Sequence, residues 1–142
     1  PNPEGSQYSD GSFGILYAGL SFETAIAEVK AQREFFMRQT YQNKPQRLDM
    51  RVIVINLSGA LHDLRKWEGI CKNDIKQTRE LSRVLREQDS YGIIFESEHH
   101  PQGECVGIFR PNILSNARQE RHFSFIWDGS SITDTFELSQ SA

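Results

Sequence analysis

Short apolar runs and one stretch of helical periodicity divide the first part of the chain. Residues 13–18 (FGILYA) predict a buried strand. Ser21 is a good N-cap for a helix that we expect to end near Arg38. Apolar residues in it recur at the spacing of one buried helix face: Phe22, Ala25, Ile26 and Val29. Glu28 falls near the edge of that face.

The middle of the chain predicts another strand and a second helix. Residues 50–57 (MRVIVINL) predict a strand near the middle of a sheet, because β-branched side chains dominate an unbroken apolar run. Residues 60–68 predict one or two helical turns. Asp74 is a candidate N-cap for a helix that ends near Gln88. Its buried face would carry Leu81, Val84 and Leu85.

Two further apolar runs flank a polar loop. Residues 91–95 (YGIIF) and 104–109 (ECVGIF) predict strands, and the loop of residues 96–103 contains Pro and Gly. Because the loop is short, we expect the strands to form a hairpin-like pair. Residues 111–114 read as a short turn.

The end of the chain is rich in strand patterns. Residues 121–127 (RHFSFIW) alternate, which predicts a half-buried strand with Phe123, Phe125 and Trp127 on one face. Residues 131–142 predict one edge strand. Consecutive strands late in the chain favour an α+β fold. The chain shows no repeat and no dividing linker, so we expect a single domain over residues 1–142.

Composition narrows the classes of function. The 142 residues are 37% hydrophobic and 25% charged, with a formal charge of −3. This balance gives no general attraction to nucleic acid, and no apolar run reaches the roughly 20 residues that a membrane helix needs. Cys71 and Cys105 form no CxxC pair, which favours reduced thiols and the cytoplasm. The chain begins at Pro1, so we expect an N-terminal piece to be missing, and no signal peptide is visible.

The stretch from Phe13 to Glu28 holds the first candidate chemistry. Tyr17 comes near the end of a predicted strand, and Glu28 lies on the helix that follows. A tyrosine and a carboxylate at such a junction can form one wall of a small-molecule site. Ser97 opens a polar loop after another strand, which suits a binding group.

Two other constellations carry less weight. Glu98, His99 and His100 resemble a metal-binding cluster, but adjacent histidines on a loop point in different directions, and no third ligand has suitable spacing. We interpret them as a solvated loop and expect no metal. Cys105 lies inside an apolar run, which favours an inert buried thiol over a catalytic Cys/His pair.

The order of several short segments resembles the RES domain family. Residues 5–28 are similar to its Gly-Ser-Arg-aromatic opening, its Leu-Tyr strand and its Thr-Ala-x-x-Glu helix. Residues 91–105 and 108–111 resemble its Gly-Ile strand, serine loop and Gly-Glu-Cys continuation. Residues 48–52 and 61–64 also resemble segments of this family. Each segment is weak alone, but the ordered set is fairly specific.

The resemblance implies an ADP-ribosyltransferase-like fold, with central β-sheets flanked by helices, and NAD as the substrate. By position, Glu28 would stabilise the positive charge that develops on the ribose when nicotinamide leaves. Tyr17 would stack on nicotinamide, and Ser97 would fix the ribose or the amide. Tyr8, the aromatic residue of the opening, is assigned with Gln7 to substrate binding.

The chain departs from the family pattern at two positions. Gln7 stands at the family's arginine position. His99 stands where an arginine is expected after Ser97, and it is assigned with Tyr17 and Ser97 to substrate binding. Glutamine carries no charge, and a charge-assisted contact to phosphate is about twice as strong as a neutral one. Either the site is weakened or inactive, or another cation substitutes.

The implied function is a toxin of a bacterial type II toxin-antitoxin pair that cleaves the nicotinamide-ribose bond of NAD, as a phosphorylase or glycohydrolase. Its partner would be a cognate Xre/ParS/MbcA-type antitoxin. The implied assembly is a homodimer of the toxin or a hetero-oligomer of toxin and antitoxin. Two alternatives stay open: an ADP-ribosyltransferase that modifies a protein, and a catalytically dead module that binds the antitoxin.

Overall fold

The computed structural model describes residues 6–65 and 74–138, and its mixed helices and sheets confirm the α+β class. The elements in chain order are β1 (Leu16–Gly19), α1 (Phe22–Gln39), β2 (Gln46–Leu57), β3 (His62–Asp63), α2 (Ile75–Glu87), β4 (Gly92–Glu96), β5 (Glu104–Ile108), a 3-10 helix (Pro111–Ile113), β6 (Leu114–Trp127) and β7 (Ile132–Leu138).

Residue contacts divide the chain into two compact units. The first unit is Pro1–Ala25 with Ser58–Ile113, and the second is Ile26–Leu57 with Leu114–Ala142. α1 begins in the first unit and continues in the second. The single domain over residues 1–142 stays a prediction.

The sheet of the first unit has the strand order β1-β5-β4-β3. β4 and β5 pair antiparallel around the loop of residues 97–103, which confirms the predicted hairpin-like pair. β1 pairs antiparallel with β5, and β3 pairs parallel with β4. The central strands β4 and β5 are therefore the frame on which the edge strands and the loop are placed.

α2 packs onto the core of the first unit. Asp74 caps the helix by accepting hydrogen bonds from two backbone N–H groups of its first turn, as predicted. Leu85 joins the core cluster around Ile93, and Leu81 packs against it. Burying a side chain of this size contributes about 1.5–3 kcal/mol. Within α2, Thr78 and Ser82 are the most deeply buried side chains.

The second unit holds a sheet in the order β2-β6-β7. The predicted aromatic face is confirmed, because the core of this unit contains Phe123, Phe125 and Trp127. The indole Nε1 of Trp127 donates to the carbonyl of Gln42 over 2.8 Å, so burial of the ring leaves its N–H satisfied. Residues of the predicted α1 face, Ile26 and Val29, pack against the same cluster.

The strand predicted within residues 13–18 is present, but its predicted start and its predicted burial are wrong. β1 begins at Leu16 and lies at an edge of the described sheet, with side chains that alternate between exposed and half-buried. A short apolar run has the same sequence pattern in an edge strand as in a central one, because only the tertiary pairing decides its neighbours.

The central position predicted for residues 50–57 is wrong as well. They belong to β2, which begins at Gln46 and forms an edge of the described three-stranded sheet. Ile53 is 58% exposed there. β-Branched residues favour extended backbone, but β-propensity carries no information about how many partners a strand has.

The helical turns predicted over residues 60–68 are wrong wherever the structure describes them. His62 and Asp63 form β3. Two residues give too little pattern to separate a short strand from a helical turn. Residues 66–68 and Cys71 lie outside the described residues, as do residues 1–5 of the opening and residues 139–142.

The last strands are longer than the sequence pattern indicated. The predicted strand over residues 121–127 is confirmed, but β6 already begins at Leu114. The predicted short turn before it is the 3-10 helix Pro111–Ile113. β7 forms the edge strand predicted for the end of the chain.

Candidate functional site

The hydroxyl of Tyr17 is tied to the opening segment of the first unit. It shares a hydrogen bond of 2.6 Å with the hydroxyl of Ser6 and accepts one of 3.3 Å from the backbone N–H of Tyr8. Burial raises the pKa of the Tyr17 hydroxyl, although these hydrogen bonds and the charge of Arg79 act to lower it. Tyr17 is therefore neutral at physiological pH and held in one orientation.

The rings of Tyr8 and Tyr17 both pack on Phe95 of β4. The ring centroids of Tyr8 and Phe95 are 4.9 Å apart, and Tyr17 meets Phe95 edge-on at 6.2 Å. Tyr8 is only 2% exposed and belongs to the core of the first unit. Its buried ring therefore fixes the opening segment, which the structure describes from Ser6 onwards, to this core. A direct contact between Tyr8 and substrate stays a prediction.

Burial gives Tyr8 a testable pH signature. Desolvation is the main cause that raises its pKa from 10.0 to about 12. Below pH 10 the phenol is neutral in both states, so its contribution to stability is fully present. Between pH 10 and 12 the unfolded chain ionises first, and we expect the free energy of unfolding to fall by about 1 kcal/mol by pH 11 and by about 2–3 kcal/mol above pH 12.

Urea denaturation between pH 9 and 11 measures this loss. Tyr8→Phe keeps the ring and should flatten the profile, whereas Tyr41→Phe, at a position that is 90% exposed, should leave it unchanged. An identical slope in the parent chain and Tyr8→Phe contradicts the assignment.

Ser97 is the first residue after β4, the strand that carries the ring contact of Tyr17. Tyr17 opposes Gly107, and Phe95 opposes Cys105, two residues along β5. Because strand side chains alternate, Tyr17 and Phe95 share a face of the sheet. Ser97 follows Phe95 by two residues. The structure thus brings the rings of Tyr8 and Tyr17 together on Phe95, two residues before Ser97.

The loop after β4 folds back on Ser97. Its hydroxyl accepts a hydrogen bond of 3.1 Å from the N–H of His100, and its N–H donates to the carbonyl of Gly103 over 2.9 Å. The side chain of His99 lies 3.7 Å from the Glu98 carboxylate, and both are exposed. A role of His99 in substrate binding stays a prediction.

His100 anchors this loop to the beginning of α1. Its Nδ1 shares a hydrogen bond of 2.7 Å with the hydroxyl of Thr24, which is 1% exposed. Ser21 caps α1 by accepting from the Thr24 N–H over 3.1 Å, and its hydroxyl donates to the Thr24 hydroxyl. The sequence analysis found the cap but missed the loop anchor. The signal available in the sequence was a threonine at the third position of the helix, Thr24, together with a histidine in a polar loop, His100.

An open groove of the first unit begins beside Ser97. Arg65 lies in it between two carboxylates, 2.7 Å from Asp63 and 2.6 Å from Glu104. Glu96 lines the same groove and adds another acidic group. The described lining therefore has more acidic than basic side chains, and its arginine is already engaged, which makes this part a poor place for a phosphate group.

Gln7 is fixed by the first turns of α2. Its carbonyl accepts a hydrogen bond of 2.6 Å from the Thr78 hydroxyl. The carbonyl of Ser6 accepts one of 2.8 Å from Nε of Arg79. These two contacts hold the opening segment against α2, next to the Tyr17 hydroxyl.

Glu28 is half-buried on α1, one helical turn after Thr24. It falls in the second unit, whereas Tyr17 and Ser97 belong to the first. The grouping of Glu28 with these residues stays a prediction from the family pattern.

Within residues 6–65 and 74–138, no group of three or more His, Cys, Asp and Glu side chains is arranged to hold a metal ion. Cys105 is a buried thiol in β5, as its apolar run predicted. No helix in the described part of the chain is long and apolar enough to cross a bilayer.

The described residues form an α+β protein whose first unit holds an oriented tyrosine hydroxyl and a loop serine after β4. The sequence matches the RES domain family over residues 1–128, and the chain belongs to that family. It is 30% identical over 132 residues to a Sinorhizobium fredii protein, the uncharacterized protein y4oC. The match covers 93% of this chain and 56% of that protein, so the chain spans about half the length of this curated relative.

Proposed function

We propose that this RES domain degrades NAD by cleaving the bond between nicotinamide and ribose. The observation that supports the proposal is the strand register that sets Tyr17 on the sheet face of Phe95, two residues before Ser97. The chain belongs to the RES family, whose pattern it resembles at this tyrosine and this serine. The Tyr17 hydroxyl is held by Ser6 and by the Tyr8 backbone, so its ring presents a fixed surface. Such preorganisation is what the binding of a planar ring needs.

The proposed reaction assigns one task to each residue. The bond between C1′ of the ribose and N1 of nicotinamide breaks, and nicotinamide leaves as a neutral ring with the bonding electrons. Positive charge develops on the ribose, where the Glu28 carboxylate stabilises it. Tyr17 packs on the departing ring, and Ser97 holds the ribose or the amide. A phosphate or water oxygen then bonds to C1′, and the products are ADP-ribose 1″-phosphate or ADP-ribose.

In this proposal the protein is the toxin of a toxin-antitoxin pair that acts on the NAD pool of the bacterial cytoplasm. A cognate antitoxin of the Xre/ParS/MbcA type would hold it inactive in the cell. An ADP-ribosyltransferase-like fold and a chemistry without a metal belong to the same proposal. Transfer of ADP-ribose to a protein shares every step up to the departure of nicotinamide, so it is distinguished by its product.

The first test measures NAD in cells after brief induction without antitoxin, for the parent chain and for Gln7→Arg. We expect NAD to fall in cells that express Gln7→Arg, and purified protein to release one nicotinamide for each NAD consumed. Phosphate-dependent turnover would identify a phosphorylase. A mass gain on a cellular protein, with little soluble ADP-ribose, would identify a transferase. Steady NAD with neither product would contradict the proposed reaction.

A further inference from the structure

Arg79 is a cation that the structure places at the opening segment. Its Nε donates to the Ser6 carbonyl over 2.8 Å, and the preceding residue, Thr78, donates to the Gln7 carbonyl over 2.6 Å. Arg79 is half-buried on α2, so its guanidinium is held beside residues 6 and 7 by the fold itself. A side chain fixed in this way loses less entropy when it binds a ligand.

Ser6 connects Arg79 with the Tyr17 hydroxyl. The carbonyl of Ser6 accepts from Arg79, and its side-chain hydroxyl lies 2.6 Å from the hydroxyl of Tyr17. The positive charge of Arg79 acts to lower the pKa of Tyr17, which agrees with this proximity. Arg79 and Tyr17 therefore contact the same residue, Ser6, so a ligand that packs on Tyr17 lies close to an arginine.

The arginine of the groove beside Ser97 has a different environment. Arg65 contacts the carboxylates of Asp63 and Glu104, at 2.7 and 2.6 Å. A phosphate arriving there would meet both carboxylates as well as the guanidinium. The part of the groove around Arg65 is thus unfavourable for an anionic ligand. At the Tyr17 end the charge of Arg79 also acts on a carboxyl group, since it helps to lower the pKa of Asp10.

Guanidinium groups suit the pyrophosphate of a dinucleotide. Arginine is always charged, and its planar donors match phosphate oxygens. Gln7 supplies no charge at the neighbouring position. We propose that Arg79 binds the pyrophosphate of NAD and so provides the positive charge that Gln7 lacks. This inference rests on the proposed function, since it takes NAD as the ligand.

Binding of ADP-ribose tests the inference without requiring turnover, because ADP-ribose keeps the pyrophosphate but has no nicotinamide. Calorimetric titration at one fixed ionic strength would compare the parent chain with Arg79→Gln. We expect the Kd to rise roughly tenfold or more, since a hydrogen bond between charged groups is lost. Arg79→Lys, which keeps the charge but loses the fork, should fall in between.

Charge relocation supplies the decisive comparison. Gln7→Arg on the Arg79→Gln background should restore most of the affinity, because it returns a cation to the same segment. Lys76→Gln removes one positive charge from an exposed position of the same helix and should change the Kd by less than about twofold. Thermal melting of each variant separates a loss of fold from a loss of binding.

The inference is overturned if Arg79→Gln binds ADP-ribose as the parent does, or if ADP-ribose binds to none of the variants. Nicotinamide release by the same proteins separates it from the proposed function. Release with an unchanged KM in Arg79→Gln would refute the role of Arg79 and leave the reaction standing. Weakened ADP-ribose binding without any release would support the anion site and refute the reaction.

Discussion

Glu28→Gln, introduced into the Gln7→Arg chain, is expected to lower the rate of NAD consumption by about 100-fold or more. Removing one preorganised electrostatic group from an enzyme typically costs about 10²–10³ in rate. The glutamine side chain keeps the size of glutamate but loses the negative charge that would stabilise the ribose cation. The KM for NAD should change much less than kcat, because the charge develops only in the transition state.

The measurement is nicotinamide release by purified protein, followed by NAD loss in cells. Glu23→Gln is the matched control, since it removes one exposed carboxylate from the first turn of the same helix. We expect it to retain activity within about threefold. If Glu28→Gln on the Gln7→Arg background consumes NAD as fast as its parent, the catalytic assignment of Glu28 is wrong.

Local patterns predicted the elements best where one physical effect dominated. Asp74 caps α2 as expected, because an acidic side chain before an amphipathic run satisfies orphan N–H groups wherever the helix packs. Phe123, Phe125 and Trp127 share a buried face because strand geometry fixes the alternation. Both inferences depend on the chain within a few residues, which the sequence displays directly.

The order of strands in the sheets was beyond the reach of such patterns. The apolar run of residues 50–57 indicated a central strand, yet β2 has one described neighbour, β6. Strand order is a property of tertiary pairing, and the free energy that selects it is spread over the whole sheet. For the same reason the apolar pattern of residues 13–18 predicted a buried strand, although β1 lies at an edge of the described sheet.

The candidate site shows the same division. Tyr17, near the end of one predicted strand, and Ser97, after another, were predicted from these positions and from the family pattern. The contacts that hold them were not, because they join residues distant in sequence: Ser6 to Tyr17, Thr24 to His100, and Arg79 to Ser6. Polar partners across such separations leave no periodic trace in one sequence.

Gly103 leaves the space in which Thr24 and His100 form their hydrogen bond. Gly103→Ala is therefore expected to lower the free energy of unfolding by about 2–4 kcal/mol. A Cβ at this position would lie 2.5 Å from the Thr24 hydroxyl oxygen and 2.6 Å from Nδ1 of His100. It would therefore separate two groups that share a hydrogen bond, and the buried Thr24 hydroxyl would lose its bond to His100 while keeping the one that it accepts from Ser21. A fall in Tm of about 10 °C follows for a chain of this size.

Differential scanning calorimetry of Gly103→Ala and of Gly14→Ala, an exposed glycine in the same unit, measures the effect. The control should shift the unfolding free energy by less than about 0.5 kcal/mol. Thr24→Ala removes one of the two obstructing atoms, so the double variant with Gly103→Ala should be more stable than the sum of the single effects predicts. Because the displaced loop carries Ser97, NAD turnover should fall with stability. A Gly103→Ala protein that melts with the parent would show that the loop is not held through Thr24 and His100.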